Sequence, residues 1–448
     1  MTRYTSATDS DRRAMLERIG VGSVEDLFEA IPARVRLDRP LDLPDGMAEQ
    51  DVSDHLAALA ARNRHADAEV TFLGAGMYDH YVPALIDSIT QRSEFLTPYT
   101  PYQPEISQGG LQAMFEFQTA ISELTGLPVS NASMYEGPSS VASAGYLAVL
   151  ENKRTRFVVS RGVHPHSREA LRTYSAGFGT SVEEVPLDEQ GATDVEALAA
   201  AVDDDTAAVF LQQPSFLGTV EDLGPLSEAA KRTGALLVCA VDPLTLGILK
   251  PPGEVGVDIA VGEGQTLGNR LDYGGPSFGF YAASERHIRK MPGRIAGETV
   301  DADGRRGFVL TLQTREQHIR REKATHNICT SQALNALAGV IYLSWLGRRG
   351  LVELGELMLR RTHYAREALA LEAINPGPVV REFAVRVPDL DALFAEARAQ
   401  GINPGYRLGR DYPEYEDGLL VAITERRTRS DIDRLAGIAA GARAGVAA

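Results

Sequence analysis

From about residue 70 onward, short runs of apolar residues alternate with stretches that have the apolar spacing of amphipathic helices. Such short, continuous apolar runs are typical of strands that are buried on both faces. The predicted strands are RFVVS (156–160), AAVFLQ (207–212), ALLVCAV (235–241), VDIAV (257–261) and SFGFYAA (277–283). The predicted helices around them span 110–124, 140–150, 165–174 and 193–202. This alternation predicts an α/β fold with a large, mostly parallel sheet that helices cover on both sides.

The two ends of the chain have other patterns. Helical spacing at 8–31 and 55–62 predicts an N-terminal helical arm over residues 1–69. The large α/β domain then spans 70–374 and closes with helices near 314–322 and 331–371. From residue 375, strands EFAVRV and LLVAIT and helices at 391–400 and 431–440 predict a small C-terminal α+β domain, 375–448.

Composition excludes several classes of protein. The 448 residues carry a formal net charge of -16, which argues against nucleic-acid binding because phosphate backbones are held mainly by Lys and Arg. The longest apolar run, ALLVCAV, is far shorter than a membrane helix requires. The N-terminal stretch lacks a signal-peptide core, so we predict a cytoplasmic protein. Cys239 and Cys329 stand alone, which argues against a disulfide framework or a zinc site, and Cys239 is predicted to lie in the core.

The segment TPYTPYQPE (97–105) has three prolines and two tyrosines in nine residues. Proline fixes its own φ and restricts the residue before it, so the segment should be extended and stiff. It could therefore hold Tyr99 and Tyr102 in fixed places for a ligand. It could equally be a surface loop whose tyrosines cover the edge of a core.

Two further stretches could contact anions. SNASMYEGPSS (130–140) precedes a predicted helix, whose free N–H groups could bind a phosphate, although its hydroxyl residues could simply cap that helix. LQTREQHIRREKATHNICTSQAL (312–334) has a basic cluster before a polar turn. The cluster indicates an anion contact or a subunit interface, unless it is an ordinary solvated helix face.

Asp242 follows one predicted strand, and Gln265 follows the next strand 23 positions later. Ligands of open α/β sheets bind at such strand ends. An acid there could pair with a protonated pyridine nitrogen, or it could cap the next turn, and a lysine after the following strand could form a Schiff base. The amide of Gln265 cannot do so. The chain has only five lysines, and none replaces it by position: Lys153, Lys231, Lys250, Lys290 and Lys323.

Taken together, several long stretches resemble the glycine-cleavage-system P-protein family. They are FLTPYTPYQPEISQGGLQAMFEFQTAISELTGLPVSNASMYEGPSS, VGEGQTLGN, GGPSFGF, KMPGRIAGETVDADGRRGFVLTLQTREQHIRREKATHNICTSQALNAL and LLVAITERRTRSDIDRL. The resemblance runs from about residue 9 to 440. Within the family, the chain most specifically resembles the first subunit of the split, two-chain form of glycine dehydrogenase (decarboxylating). It implies pyridoxal-phosphate fold type I, the aspartate aminotransferase-like fold, with a degenerate cofactor domain at 70–374.

The resemblance also implies a reaction and its partners. Subunit 2 carries the lysine that binds pyridoxal phosphate, and this chain has Gln265 at the corresponding position. This chain is therefore expected to have no covalent catalytic residue and no metal, and to be inactive without subunit 2. With subunit 2, in an α2β2 heterotetramer, it decarboxylates glycine and transfers the aminomethyl group to the lipoyl arm of H-protein. Asp242 then has a structural or relic role.

The site residues implied for this chain lie at the subunit interface. The wall of the partner's active site is formed by Tyr99, Thr100, Tyr102 and Gln103. Thr325 and Asn327 contact the phosphate of the partner's cofactor. A non-catalytic scaffold or regulator derived from a pyridoxal-phosphate enzyme is the alternative, and the lysine positions disfavour an independent aminotransferase.

Overall fold

Buried strands and amphipathic helices alternate along most of the chain, as the apolar patterns predict. The structure is a computed structural model that describes residues 6–275, 277–324, 326–328 and 331–446, with side chains as far as residue 441. Two units divide between Asn63 and Arg64. In the first, α1 (Asp9–Ile19) begins at a capping box on Thr8 and ends at Gly20, and α2 spans Glu49–Ala60. The predicted helical stretch at 24–31 is one short 3-10 turn, Glu25–Phe28.

The remaining elements lie in the second unit. The α-helices are α3 (Ala84–Thr90), α4 (Ser93–Leu96), α5 (Gln108–Thr125), α6 (Gly137–Asn152), α7 (Pro165–Phe178), α8 (Val195–Ala201), α9 (Leu223–Lys231), α10 (Gln317–Arg320), α11 (Ala333–Leu369), α12 (Leu390–Ala399) and α13 (Arg429–Val446). The strands are β1 (Val70–Thr71), β2 (Val129–Ser130), β3 (Arg156–Ser160), β4 (Ser181–Val185), β5 (Thr206–Gln213), β6 (Leu236–Val241), β7 (Ile259–Glu263), β8 (Gly279–Ala283), β9 (Ile295–Val300), β10 (Arg306–Thr311), β11 (Glu382–Arg386), β12 (Ile402–Asn403), β13 (Tyr406–Arg407) and β14 (Gly418–Ala422).

Seven strands form the central sheet, in the order β2-β8-β7-β6-β5-β3-β4. The strands from β4 to β7 pair in parallel, and β8 and β2 add antiparallel pairs at one edge. Alternate residues of one strand belong to different core clusters: Val158 packs in one, and Phe157 and Val159 in the other. Successive side chains of a strand point to opposite faces, so the sheet is buried on both sides. Cys239 of β6 is completely buried, as predicted.

The C-terminal part forms a smaller α+β layer. Strands β11, β14 and β13 pair antiparallel, and α12 and α13 share their apolar cluster with this sheet. Strand β1 lies beside β12 in parallel, with Val70 opposite Ile402. The segment that leads into the large sheet is therefore hydrogen-bonded to the C-terminal layer. The three predicted domains, 1–69, 70–374 and 375–448, stay a prediction.

The predicted helix at 314–322 is wrong. Only α10 is α-helical there, between 3-10 turns, and it ends at Arg321, whose positive φ of 52° does not continue a right-handed helix. Arg315 is not on a basic surface either. Its guanidinium is buried and donates to the backbone oxygens of Leu312, Met291 and Gly293. The predicted helix at 331–371 is found as α11, with a break at Gly347.

Candidate functional site

Gln265 lies just beyond the end of β7 and is 1% exposed. Its Nε2 donates to the backbone oxygens of Tyr78 and Asn269, at 3.1 and 2.8 Å, and its Oε1 accepts the Tyr78 backbone N–H at 2.9 Å. Both amide hydrogens and the amide oxygen are thus used. The side chain that stands at the predicted lysine position holds the loop around Tyr78 against the sheet.

Asp242 lies directly after β6, at the same edge of the sheet. Its Oδ2 is 2.6 Å from Nε of Arg381, and its Oδ1 accepts the Leu244 backbone N–H at 3.1 Å. The Arg381 guanidinium lies 3.5 Å from the centroid of the Tyr78 ring, and Nη1 is 2.5 Å from Nε2 of His80. The capping interpretation of Asp242 is therefore borne out by the Leu244 contact. A cation of the same chain neutralises the carboxylate.

Glu382 continues this cluster behind Tyr78. Its carboxylate accepts the Tyr78 hydroxyl at 2.6 Å and the Ala75 backbone N–H at 2.8 Å. Burial raises the pKa of Glu382 to about 7 and also raises the pKa of Tyr78. Because Glu382 and Arg381 belong to β11 and its entry, the cluster connects the C-terminal layer to the end of the large sheet.

The predicted phosphate-binding helix N-terminus is that of α6. The helix begins at Gly137 rather than near Ser140, where the sequence predicted its start. Two carboxylates occupy its free N–H groups. Oε1 of Glu136 accepts the Ser139 N–H at 2.9 Å, and Oε2 of Glu263 accepts the Gly137 N–H at 3.0 Å. Glu263 is also bound by the Gln265 N–H at 3.0 Å and by the Ser277 hydroxyl, and burial raises its pKa. A phosphate dianion at this helix start would meet both carboxylates.

A cavity of about 440 Å³ is lined by several of these groups, among them Asp242, Glu263 and Arg381. Among its lining residues, His164 caps α7 and its Nε2 lies 2.9 Å from the Ala75 oxygen. Burial lowers the pKa of His164 to about 4, so the ring is neutral. Pyridoxal phosphate needs an amine for its imine, a free helix N-terminus for its phosphate and an unpaired carboxylate for its pyridine nitrogen. Here Gln265 has an amide, Glu263 binds the helix N-terminus, and Asp242 is paired with Arg381. The residues present do not fit that cofactor.

Sequence patterns did not point to Glu263 or Arg381. For Glu263 the sequence shows its two flanking glycines, and the structure shows why they are small: a Cβ at Gly262 or Gly264 would approach Phe280 or Phe278 to 2.3 Å. For Arg381 no local signal exists, since it reaches Asp242 only through the fold.

The predicted wall residues lie on the proline segment, away from that cavity. Tyr99 is 77% exposed, Tyr102 is 48% exposed, Gln103 is exposed and Thr100 is half-buried. The Thr100 oxygen accepts the Tyr102 N–H at 2.9 Å. Tyr99 lines an apolar cavity of about 270 Å³. Tyr99 thus points outward, whereas the half-exposed Tyr102 contacts buried Arg294 through its hydroxyl, and the roles of both tyrosines stay a prediction.

The predicted phosphate-contact turn is only partly described. Thr325 lies outside the described residues. Asn327 is exposed and lines a cavity of about 760 Å³ together with His326 and Gln317. Among the described residues, this cavity shares no lining residue with the one beside Asp242 and Glu263. Asn327 therefore lines a space distinct from the cavity beside Asp242 and Glu263.

The part of the chain that the structure describes offers neither a cluster of metal ligands nor a membrane-spanning helix. No group of three or more His, Cys, Asp or Glu side chains there could hold a metal ion. Within the same part of the chain, every helix is too short or too polar to cross a membrane.

Comparison with known proteins identifies relatives over nearly the whole chain. A family described as "Glycine cleavage system P-protein" matches residues 2–438. A protein of Carboxydothermus hydrogenoformans, named "Probable glycine dehydrogenase (decarboxylating) subunit 1", is 50% identical over 98% of this chain and 100% of its own length. A relative of the same name from Geobacillus thermodenitrificans is 48% identical over 96% of this chain and 97% of its own length.

Solved structures confirm the fold. A crystal structure of "glycine decarboxylase (P-protein) of the glycine cleavage system, in inhibitor-bound form" superimposes with a TM-score of 0.89 at 43% identity, covering 98% of this chain and all of the other. A cysteine desulfurase from Thermococcus onnurineus has a TM-score of 0.62 at 14% identity, over 90% of this chain and all of that one, and shows the fold alone. The predicted fold class, α/β of pyridoxal-phosphate fold type I with a mainly parallel sheet, is confirmed.

Proposed function

The chain belongs to the glycine cleavage system P-protein family, and from that premise we propose that it is the lysine-free subunit of glycine dehydrogenase (decarboxylating), active only together with a second subunit. The observation that carries the proposal is the state of its own pocket. Gln265 binds the Tyr78 backbone at both of its amide atoms, and Glu263 occupies the helix start where a phosphate would bind. This chain therefore leaves the cofactor to its partner.

Pyridoxal phosphate in subunit 2 supplies the electron sink that glycine decarboxylation requires. This chain contributes the neighbouring wall: Tyr99, Thr100, Tyr102 and Gln103 border the substrate, and Thr325 and Asn327 contact the cofactor phosphate. Two features support these roles. Prolines fix the backbone of the tyrosine segment, and the Asn327 amide is exposed beside a large cavity. The product leaves as an aminomethyl group on the lipoyl arm of H-protein.

Reconstitution tests the proposal. The two subunits are purified separately, and carbon dioxide release from glycine is measured with lipoylated H-protein for each subunit and for the mixture. Activity is expected only in the mixture, which should elute as an α2β2 heterotetramer. Full activity of this chain alone, or pyridoxal bound covalently to it, would contradict the proposal.

A scaffold or regulatory role gives a different result. Asn327→Ala removes an exposed amide and should not disturb folding, with Gln91→Ala on the exposed C-cap of α3 as a matched surface control. We expect Asn327→Ala to weaken cofactor binding by the assembled enzyme roughly tenfold, the effect of one hydrogen bond to a charged group. Unchanged binding and turnover in an intact assembly would favour the scaffold role.

A further inference from the structure

The cavity beside Asp242 and Glu263 has the size and lining of a small-molecule site, although its polar groups do not fit pyridoxal phosphate. Its volume is about 440 Å³. Small-molecule pockets measure roughly 300–1,000 Å³ and combine an apolar wall with a few polar groups. Apolar side chains and glycine backbone form much of this wall, from residues 73–77, Pro138, Val141, Ala240, Val241 and Gly262.

The charged groups on the wall are mainly negative. Among the described lining residues, Glu136, Glu263 and Asp242 are acidic, and Arg381 is the one arginine or lysine. Arg381 is committed to Asp242, because its Nε lies 2.6 Å from the Asp242 carboxylate. The helix start of α6 adds only about half a positive charge. Glu136 and Glu263 therefore leave an excess of negative charge on this wall.

The two glutamates meet at the first turn of α6. Glu136 accepts the Ser139 N–H at 2.9 Å, and Glu263 accepts the Gly137 N–H at 3.0 Å. Burial raises the pKa of Glu263, and the charge of Glu136 adds to this effect. A cation beside both carboxylates would offset their repulsion.

Both carboxylates retain the capacity to bind a ligand. A carboxylate can accept about four hydrogen bonds. Within the described part of the chain, Glu263 accepts from the Gly137 N–H, the Gln265 N–H and the Ser277 hydroxyl, and Glu136 accepts from the Ser139 N–H. A donor group of a ligand can therefore bind both acids without displacing them from the helix.

Thr266 adds a polar group to the same cavity. It is a lining residue and is 2% exposed. Its hydroxyl is buried and has no hydrogen-bond partner among the described residues. Buried hydroxyl groups are normally hydrogen-bonded, so this one is an unexplained polar group on the wall of the cavity.

The kind of cation follows from the donor set and the lining. No group of three or more His, Cys, Asp or Glu side chains in the described residues could hold a metal ion. A metal is also a poor match for a largely apolar wall, because metal ions bind oxygen, nitrogen or sulfur ligands on several sides. An organic ammonium group satisfies both features, since its N–H groups donate to carboxylates and its carbon body packs on apolar surface.

We propose that this cavity binds an organic ammonium compound, whose nitrogen donates to Glu136 and Glu263 and whose apolar body lies against the wall formed by residues 73–77 and the end of β6. The inference goes beyond the proposed function. It concerns a site inside this chain and requires no residue of subunit 2.

The test uses the purified full-length chain without subunit 2, so that no amine can react with the partner's pyridoxal phosphate. Three compounds share one ring and differ in charge at pH 7: benzylamine is a cation, benzyl alcohol is neutral and benzoate is an anion. Their dissociation constants are measured by isothermal titration calorimetry. We expect benzylamine to bind at least about tenfold more tightly than benzoate, with benzyl alcohol between them.

Charge-neutral variants assign the binding to this cavity. Glu136→Gln and Glu263→Gln each keep an oxygen for the helix N–H and remove the charge, and each should weaken benzylamine about tenfold. Asp194→Asn is the matched control, because Asp194 caps α8 by accepting the Ala197 N–H at 2.9 Å and is not a lining residue. Its affinity for benzylamine should equal that of the wild type.

Three results would each overturn the inference: no detectable binding of benzylamine, equal affinities for the three compounds, or benzylamine binding that is unchanged in both glutamine variants. If a glutamine variant does not fold, as judged by its circular dichroism, the charge series on the wild-type chain still decides the matter. The proposed function is tested separately, in the mixture with subunit 2.

Discussion

The carboxylate of Glu263 accepts the backbone N–H of Gly137 at 3.0 Å, at the first residue of helix α6. The two residues are separated by more than a hundred positions, and they meet because β7 ends beside the start of α6. A helix N-terminus of this kind attracts anions, and here an acidic side chain of the same chain is the anion. This contact and the hydrogen bonds of Gln265 mean that these polar groups are already bonded to other groups of the same chain.

Restoring the amine alone should not restore cofactor binding. In Gln265→Lys, Glu263 and Glu136 still occupy the helix start, and their charge opposes the phosphate. We expect no visible absorbance band of lysine-bound pyridoxal in the isolated variant chain. The double variant Gln265→Lys with Glu263→Gln should bind pyridoxal phosphate more tightly than the single variant. Equal affinity in the two would show that Glu263 does not obstruct the phosphate.

The Asp242–Arg381 pair should stabilise the fold mainly by avoiding an unpaired buried charge. Asp242→Asn leaves the Arg381 guanidinium buried without its carboxylate, which costs about 3 kcal/mol in comparable buried pairs. Urea unfolding should show a lower midpoint for this variant. Replacing both residues, Asp242→Asn with Arg381→Met, should recover part of that loss. If the loss of stability in the double variant equals the sum of the losses in Asp242→Asn and Arg381→Met alone, the pair is not coupled.

Glu382 should make stability depend on pH. Its folded-state pKa of about 7 exceeds its ordinary value of 4.5, so between these values the folded chain binds more protons than the unfolded chain. The contribution of Glu382 to the free energy of unfolding is therefore fully present below about pH 4.5 and is lost as the pH rises to about 7. Glu221 has a similarly raised pKa of about 7 and acts in the same direction.

Urea midpoints between pH 5 and 8 test this expectation. Wild-type stability should fall across the interval by an amount on the order of 1 to 3 kcal/mol from Glu382. Glu382→Gln mimics the protonated group and should decline less, with the remaining slope due to Glu221. An identical slope in the variant would mean that Glu382 is not protonated in the folded chain.

Gly218 should not tolerate a side chain. Its φ is +94°, and a Cβ atom would lie 1.9 Å from the backbone oxygen of Glu382. Gly234 is a matched control, because its φ is +79° but the nearest atom to a Cβ would be 3.8 Å away, on the flexible end of Arg154. Gly234→Ala should cost about 1 kcal/mol from φ alone, and Gly218→Ala should cost clearly more. Similar urea midpoints for the two variants would contradict the clash.

Apolar patterning predicted the large sheet well because strand burial is a local property. The runs RFVVS and AAVFLQ coincide with β3 and β5 to within one residue at each end. The helix expected at 314–322 failed for a different reason. Arg321 has a positive φ and Arg315 is buried among backbone oxygens, and a count of basic residues can reveal neither.

The candidate site divides in the same way. The proline segment and Gln265 are visible in the sequence because a ring that fixes φ and an amide that cannot act as an amine are properties of single residues. The partners of these residues were not visible. Arg294 reaches Tyr102, and Arg381 reaches Asp242, across long stretches of chain.

The sequence by itself determined that the side chain at position 265 is an amide, which cannot form a covalent imine at that position. Only the tertiary structure decided which side chains bind the start of α6 and the carboxylate of Asp242. Glu263 lies on the start of α6, and Arg381 lies on Asp242, through contacts between distant segments. Electrostatic neutralisation in a buried pocket depends on distances of a few ångströms, and folding alone creates those distances.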